Sequence, residues 1–192
     1  PDGRGLMLLS NKYQLLYLDL TSKTLTELTN SQDLVLAGSW QNDDHILYSK
    51  EVDGQFQLFK RDVTTFEEWQ LTFDGGYYAQ QGNDERFVYF SKRNSPGLWR
   101  LNLATGQNTQ IYNEFGPDNY SRWQLVNDKI YFRQHAKLGI GVFRYDLVGD
   151  VQQLFSSNNA WLFHVSGQHQ KIMLTEVEAA LSDIKSGRLI LN

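Results

Sequence analysis

Large aromatic side chains recur in four segments that we predict to be short β-strands, and one arginine lies beside them. These candidate residues are Trp40, Tyr77, Tyr78, Arg122, Trp123 and Trp161. Trp, Tyr and Arg tend to dominate the affinity of binding surfaces, whereas large aromatic residues also fill protein cores. The six residues are therefore candidates for binding a ligand or a protein partner, with packing between structural units as the alternative.

No group of residues has the spacing of a familiar catalytic or metal site. Ser39 follows Gly38, but the second glycine of a nucleophile elbow is missing and the segment is predicted to be a strand. His164 and His169 are five residues apart, without a third ligand at a repeated spacing. The sequence also contains no cysteine and no glycine-rich phosphate loop. We therefore predict that the chain is not an enzyme and holds no metal or cofactor.

The candidate residues belong to a sequence repeat of about forty residues. One position in each copy is an Asp or Asn that follows an apolar-aromatic run, and these positions are Asp19, Asp62, Asn102 and Asp146, spaced by 43, 40 and 44 residues. We expect these short side chains to accept backbone N–H groups of the following turn. Each copy contains up to four short alternating segments, which is the period and strand count of a β-propeller blade.

The repeat divides the chain into five predicted blades of an all-β propeller. Their limits are 1–30, 31–73, 74–114, 115–157 and 158–192. The first begins at the turn before a second strand, so we expect it to lack its innermost strand, and we expect four strands in each of the others. The helix-prone run 176–184 is interpreted as part of the last repeat. Because closed propellers have about 4 to 8 blades, the chain is either an arc of a larger propeller or a small ring.

The innermost strand of each blade lines the central channel of a propeller. The aromatic candidate residues stand on these strands at comparable places in the repeat alignment, so we expect at least two of them to lie at one channel mouth. Arg122 next to Trp123 would then favour an anionic or aromatic ligand.

The first repeat carries a recognisable pattern: Pro1-Asp2-Gly3-Arg4, then Leu16-Tyr17-Leu18-Asp19, then a closing Leu28-Thr29. It resembles the WD40-like (PD40) repeat of TolB-like propellers, and the resemblance covers nearly the whole chain but weakens after residue 104. Such repeats occur in the periplasmic, Pal-binding TolB, in the propellers of prolyl-oligopeptidase-like peptidases, and in the sensor regions of membrane-anchored winged-helix regulators of the CadC/ToxR type.

The degenerate, aromatic-rich repeats look most like the last of these groups. That resemblance implies a non-enzymatic sensory or interaction module, the C-terminal periplasmic domain of a membrane-anchored transcriptional regulator. Its partner would be a protein or a small-molecule signal, and it could form a homo-oligomer. The alternatives are a TolB-like envelope scaffold that binds a protein, and the gating propeller of a serine peptidase.

The composition favours a folded domain that does not bind nucleic acid directly. The 192 residues include 18 Lys and Arg against 22 Asp and Glu, for a net charge of −4, whereas phosphate binding requires a clustered basic face. No run approaches the roughly 18 apolar residues of a membrane-spanning helix. We therefore expect any membrane attachment to reside in a segment outside this chain.

Overall fold

The protein is described here by a computed structural model. It covers residues 3–30, 32–42, 44–93, 95–116, 122–137, 139–158, 160–168, 171–178 and 181–188, with side chains for all of these except 160–161 and 176–188. These residues form eighteen β-strands and no helix, so the predicted all-β class is confirmed. None of them belongs to a helix with the length and hydropathy of a membrane span.

The chain divides into two compact units, Pro1–Ser121 and Arg122–Asn192. The first unit contains three antiparallel sheets, one after another along the chain. Sheet 1 consists of β1 (Gly5–Leu9), β2 (Leu15–Asp19) and β3 (Leu25–Glu27). Sheet 2 consists of β4 (Val35–Trp40), β5 (His45–Val52), β6 (Gln55–Asp62) and β7 (Glu68–Gln70). Sheet 3 consists of β8 (Tyr78–Gln81), β9 (Phe87–Lys92), β10 (Ser95–Asn102) and β11 (Asn108–Tyr112).

The second unit contains two antiparallel sheets. Sheet 4 consists of β12 (Trp123–Val126), β13 (Lys129–His135), β14 (Ile140–Tyr145) and β15 (Val151–Ser157). Sheet 5 consists of β16 (Ala160–Ser166), β17 (Lys171–Glu178) and β18 (Leu181–Arg188).

Sheet 1 starts with what would be a second strand, as the truncated first repeat predicted. The described residues of sheet 5 form three strands, and the fourth strand expected in this repeat stays a prediction. Strand β18 pairs with β17 without a break from Leu181 to Arg188. The described residues of the helix-prone run 176–184 belong to the paired strands β17 and β18, and residues 189–192 lie outside the described part.

Strand β5 shows how the first unit is held together. Because side chains alternate between the two faces of a strand, Ile46 and Tyr48 pack in one cluster with residues of sheet 1, whereas Leu47 packs in another with residues of sheet 3. All three are at most 1% exposed. A sheet buried on both faces reads as a continuous apolar run, which is why Ile46-Leu47-Tyr48 does not alternate with polar residues.

Sheets 4 and 5 of the second unit pack in a comparable way. Tyr131 and Val142 of sheet 4 form a buried cluster with Val165 and Ile172 of sheet 5. Burying an aliphatic side chain of this size contributes about 1.5–3 kcal/mol relative to leaving it exposed, so these face-to-face contacts are the main source of stability in each unit.

The recurrent Asp and Asn residues have the turn-forming role that the sequence predicted. The Oδ1 atom of Asp62 accepts the backbone N–H groups of Thr64 and Thr65, each at 2.8 Å. Asp19 and Asn102 make equivalent pairs of bonds, and Asp146 accepts the N–H groups of Val148 and Asp150. These backbone donors lower the pKa of Asp62, Asp19 and Asp146 from its ordinary value.

The closing Leu-Thr of the first two repeats forms a second recurrent device, which we call the Leu-Thr clamp. In sheet 1 the backbone N–H of Leu28 donates to the carbonyl of Leu15, and the Thr29 hydroxyl oxygen accepts the N–H of Leu15 at 2.9 Å. Leu71 and Thr72 make the same two bonds to Leu58 in sheet 2. The clamp fixes the end of the outermost strand to its neighbour.

Candidate functional site

The innermost strands can be compared through their pairing with the second strand of each sheet. Gly38 stands opposite Tyr48, Ala79 opposite Phe90, and Trp123 opposite Phe132. These are equivalent positions, and only one of the three inner residues is aromatic.

The other candidates stand at different positions of their strands. Trp40 is opposite Ile46, two residues beyond Gly38, and Tyr78 is opposite Ser91, one residue before Ala79. Trp161 falls within a register irregularity between Ala160 and Leu162. The expectation that the aromatic residues occupy comparable places is therefore wrong. Trp40 lies on the same face as Gly38 but two residues further along, whereas Tyr78 is offset from Ala79 by one residue, which turns its side chain to the opposite face of the sheet.

In the second unit, Trp123 is 1% exposed and forms part of the core. Arg122, next to it, is half-buried, and its carbonyl accepts the N–H of Arg133 at 3.3 Å. Only the backbone of Trp161 is described. In this structure Trp123 follows the packing alternative, and a binding role for any of the three stays a prediction.

Of the two histidines singled out in the sequence, His164 belongs to the described residues. The Nδ1 atom of His164 lies 2.9 Å from the side-chain nitrogen of Gln124, which also accepts the N–H of Val165 at 2.7 Å through its oxygen. Gln124 therefore ties β12 to β16, and His164 takes part in this structural contact. His169 lies outside the described residues.

In the first unit, Trp40 and Tyr78 are half-buried. The Trp40 ring meets the Tyr17 ring edge to face, with centroids 5.7 Å apart, beside the core shared by sheets 1 and 2. Burial raises the pKa of the Tyr78 hydroxyl, while a hydrogen bond from Gln80 opposes this change. Both residues contribute to packing within the unit.

Tyr77, the remaining candidate of the first unit, lies next to a surface cleft. Its ring is 7% exposed and meets the Phe56 ring edge to face, with centroids 5.3 Å apart. Phe56 lines a cleft of about 230 Å³ within the first unit, bounded by residues 55–56, 74–76, 92–93 and Ser95. These residues come from the β5–β6 turn, the segment that enters β8 and the β9–β10 turn. We call this site the Arg93 cleft.

The Arg93 side chain lies over the aromatic pair of the cleft. Its guanidinium carbon is 5.4 Å from the centre of the Phe56 ring and 6.0 Å from that of Tyr77. A cation this close to aromatic faces is attracted to them. Among the described residues, no hydrogen-bond acceptor or carboxylate pairs with this guanidinium.

Lys92, the other cation of the cleft, is already paired. Its ammonium nitrogen lies 3.0 Å from Asp74 Oδ2 and 5.0 Å from the centre of the Trp99 ring. The same charge pair occurs one repeat earlier, where Lys50 approaches Asp33 at 4.0 Å. Lys92 and Asp74 therefore have a structural counterpart, whereas Arg93 does not.

Two glycines allow the chain to form the wall of the cleft. Gly75 has a φ of +83°, a conformation that favours glycine, and its N–H donates to Gln57 Oε1 at 3.0 Å. Gly76 donates its N–H to the carbonyl of Phe56, and a Cβ atom there would lie 2.6 Å from Leu58. The backbone therefore packs directly against β6.

A charged cluster between sheets 1 and 2 offers a contrast. Glu68 receives Lys50 at 2.5 Å, Arg61 at 3.2 Å and the hydroxyl of Tyr48. Arg61 also donates to the Leu28 carbonyl of sheet 1 at 2.5 Å. Burial lowers the pKa of Lys50 and of Arg61. Because these charges bind one another, the cluster joins the sheets and leaves little capacity for a ligand.

The described residues show no arrangement suited to bond cleavage. The Ser39 hydroxyl donates to the carbonyl of Ala79 at 2.5 Å, so it links β4 to β8 and is not placed as a nucleophile. No histidine lines the Arg93 cleft. Within the described ranges, no group of three or more His, Asp or Glu residues could hold a metal ion.

Sequence reasoning selected Tyr77 but missed Phe56, Lys92 and Arg93. A partial signal exists, because Ser49-Lys50 and Ser91-Lys92 end the second strands of successive repeats. Nothing comparable marks Arg93, which becomes visible only when two turns that are distant in sequence are seen side by side.

No family model matches the sequence, and no curated protein sequence matches it. Solved structures do. TolB from Acinetobacter baumannii superimposes with a TM-score of 0.78 at 19% identity, over 97% of this chain and 49% of that one. A structure described as TolB from Agrobacterium tumefaciens gives 0.78 at 16% identity, over 97% and 73%. The fold is that of a β-propeller.

The extracellular domain of a one-component system from B. thetaiotaomicron also matches. Its TM-score is 0.59 at 15% identity, over 91% of this chain and 25% of that chain. The chain spans about half the length of the Acinetobacter TolB structure. At such low identities these matches establish the fold, and they leave the function to be argued from the residues.

Proposed function

We propose that this chain is a non-enzymatic binding propeller whose ligand enters the Arg93 cleft. The observation that carries the proposal is the guanidinium of Arg93, which lies over Phe56 and Tyr77 while no described residue pairs with it. The cleft is lined by Phe56, two glycines and five polar or charged residues, so it offers mainly polar and ionic contacts to a ligand. The hydroxyl of Ser39 is engaged with the Ala79 carbonyl, so the serine of the Gly38-Ser39 segment does not support a hydrolytic role.

We further propose that the propeller is the sensory domain of a membrane-anchored transcriptional regulator, on the periplasmic side of the membrane. The PD40-like repeats and the likeness to the extracellular domain of a one-component system support this role. The likeness to TolB supports an envelope location. A TolB-like scaffold would bind through protein contacts without needing the cleft, and a peptidase propeller would serve a hydrolase domain elsewhere in its parent protein.

The proposal is tested with the purified 192-residue chain. Thermal denaturation is recorded with a panel of small molecules of defined charge: acetate, phenylacetate, phosphate, spermidine and glucose. We expect at least one to raise the midpoint in the wild type and to lose this effect in Phe56→Ala, because that variant removes a wall of the cleft. The matched control is Phe87→Ala. This variant removes an aromatic ring at the start of β9, and Phe87 does not line the cleft.

Activity is measured on the same preparations with p-nitrophenyl acetate and a prolyl p-nitroanilide. We expect no turnover. Turnover that disappears in Ser39→Ala would overturn the non-enzymatic assignment, and a panel without any stabilising ligand would overturn the cleft as the binding site.

A further inference from the structure

We propose that the Arg93 cleft recognises a small carboxylate, one that carries a single negative charge. This inference rests on the proposed binding function and specifies its ligand class. It follows from the available N–H groups of Arg93, the charge balance and the size of the cleft.

The guanidinium of Arg93 has N–H groups available for a ligand. Its carbon lies 5.4 Å from the centre of the Phe56 ring and 6.0 Å from that of Tyr77, and none of its N–H groups has an acceptor among the described residues. The fork of N–H groups on a guanidinium matches the two oxygens of a carboxylate, which it binds in a bidentate manner. Arg93 is exposed at the cleft, so a ligand can reach it from solvent.

The charge balance favours one negative charge. The cleft is lined by Lys92, Arg93 and Asp74, and Lys92 is paired with Asp74 at 3.0 Å. The remaining positive charge is that of Arg93, which one carboxylate neutralises. A dianion such as phosphate would also need Lys92, and would have to compete with Asp74 for it.

A neutral donor stands nearby. The Gln55 side-chain oxygen accepts a bond from Gln57 Nε2 at 3.0 Å, which leaves the Gln55 amide N–H groups for a ligand. The volume of about 230 Å³ is smaller than the roughly 300–1,000 Å³ of sites for drug-sized molecules. The occupant is therefore a compact organic acid.

The test is calorimetric titration of the chain with phenylacetate, with phenylacetamide as the uncharged isostere and inorganic phosphate as the dianion. We expect binding of phenylacetate and no detectable binding of the amide or of phosphate. In Arg93→Gln the affinity for phenylacetate should fall about ten- to a hundredfold, the range for a lost hydrogen-bonded charge.

Arg86→Gln is the matched control. Arg86 directly precedes β9, as Arg93 directly follows it, and it also lies over an aromatic ring, but its guanidinium is paired with Asp84 at 2.7 Å. This variant should bind phenylacetate like the wild type. Asp74→Asn should bind it more tightly, because Lys92 is released from its partner.

Several outcomes would overturn the inference: equal binding of acid and amide, an unchanged affinity in Arg93→Gln, tighter binding of phosphate than of phenylacetate, or weaker binding of phenylacetate in Asp74→Asn. Binding of another panel compound that is lost in Phe56→Ala would retain the proposed binding function while rejecting the carboxylate. Circular dichroism of each variant verifies that the sheets are intact.

Discussion

The hydroxyl oxygen of Thr72 accepts the backbone N–H of Leu58 at 2.9 Å, and the same hydroxyl donates to Gln57 Oε1 at 3.0 Å. Thr72 and Leu58 are fully buried. The Thr72 side chain thus provides the acceptor for a buried backbone N–H group that solvent does not reach. A buried donor left without a partner costs about 1–3 kcal/mol.

We expect Thr72→Val to lower the free energy of unfolding by about 1–3 kcal/mol, because Val keeps the shape of Thr but cannot accept the N–H of Leu58. Thr72→Ser retains the oxygen and should lose less. Urea denaturation followed by tryptophan fluorescence measures both. Equal stability of the Val variant and the wild type would show that this bond is dispensable.

Gly38→Ala tests how closely sheets 1 and 2 approach. A Cβ atom at Gly38 would lie 2.7 Å from Leu15 Cδ1 and 3.3 Å from Met7 Sδ. We expect a loss of about 1–3 kcal/mol, as for other overpacked cores. In a second step Leu15→Val makes room, so the double variant should lose less than the sum of the two single changes. Additive losses would place the strain elsewhere.

Trp123→Ala separates core from binding surface in the second unit. Because Trp123 is 1% exposed, we expect the free energy of unfolding to fall by about 3–5 kcal/mol, the cost of removing a buried aromatic ring. Trp69→Ala serves as the control, since Trp69 is 43% exposed and should change stability much less. A stable Trp123→Ala chain would return Trp123 to the list of ligand contacts.

We expect Asp62 to make the stability of the fold depend on pH in the acid range. The N–H groups of Thr65 and Thr64 hold the pKa of Asp62 below its ordinary 3.8. A carboxylate with a lowered pKa in the folded state contributes stability above the unfolded pKa and loses it as the pH falls through the folded pKa. His45 Nε2, 3.7 Å from Asp62 Oδ2, is the other titratable group at this turn.

Asp62→Asn should therefore have a lower thermal midpoint than the wild type near neutral pH, where the carboxylate contributes stability, and a smaller loss of stability between about pH 5 and pH 3. Asn102 already makes the same turn with an amide oxygen, so the bonds survive the change. Asp62→Ala should be less stable at every pH. Identical acid profiles of the Asn variant and the wild type would exclude Asp62 as a source of the pH dependence.

The parts of this fold that the sequence predicted are local ones. Asp19 and its counterparts bind N–H groups two to four residues away, so a repeated Asp or Asn is enough to reveal the turn. The prediction that Trp40 and Tyr78 occupy comparable places was wrong. Their places depend on strand register, which the spacing of repeats does not determine to within one residue. The contact of Arg93 with Phe56 could not be predicted, since it joins turns of two repeats whose residues carry no common pattern.

Both partners of each Leu-Thr clamp belong to the same sheet: Thr29 accepts the backbone N–H of Leu15, and Thr72 accepts that of Leu58. A gene segment that encodes one copy can consequently be duplicated or deleted, and every clamp hydrogen bond keeps its donor and its acceptor. Only the apolar faces between neighbouring sheets must then be repacked. The later copies end in Ile111-Tyr112 and Leu154-Phe155, and they still form sheets. Divergence of individual copies was therefore tolerated by the architecture, which leaves each blade free to acquire its own surface chemistry.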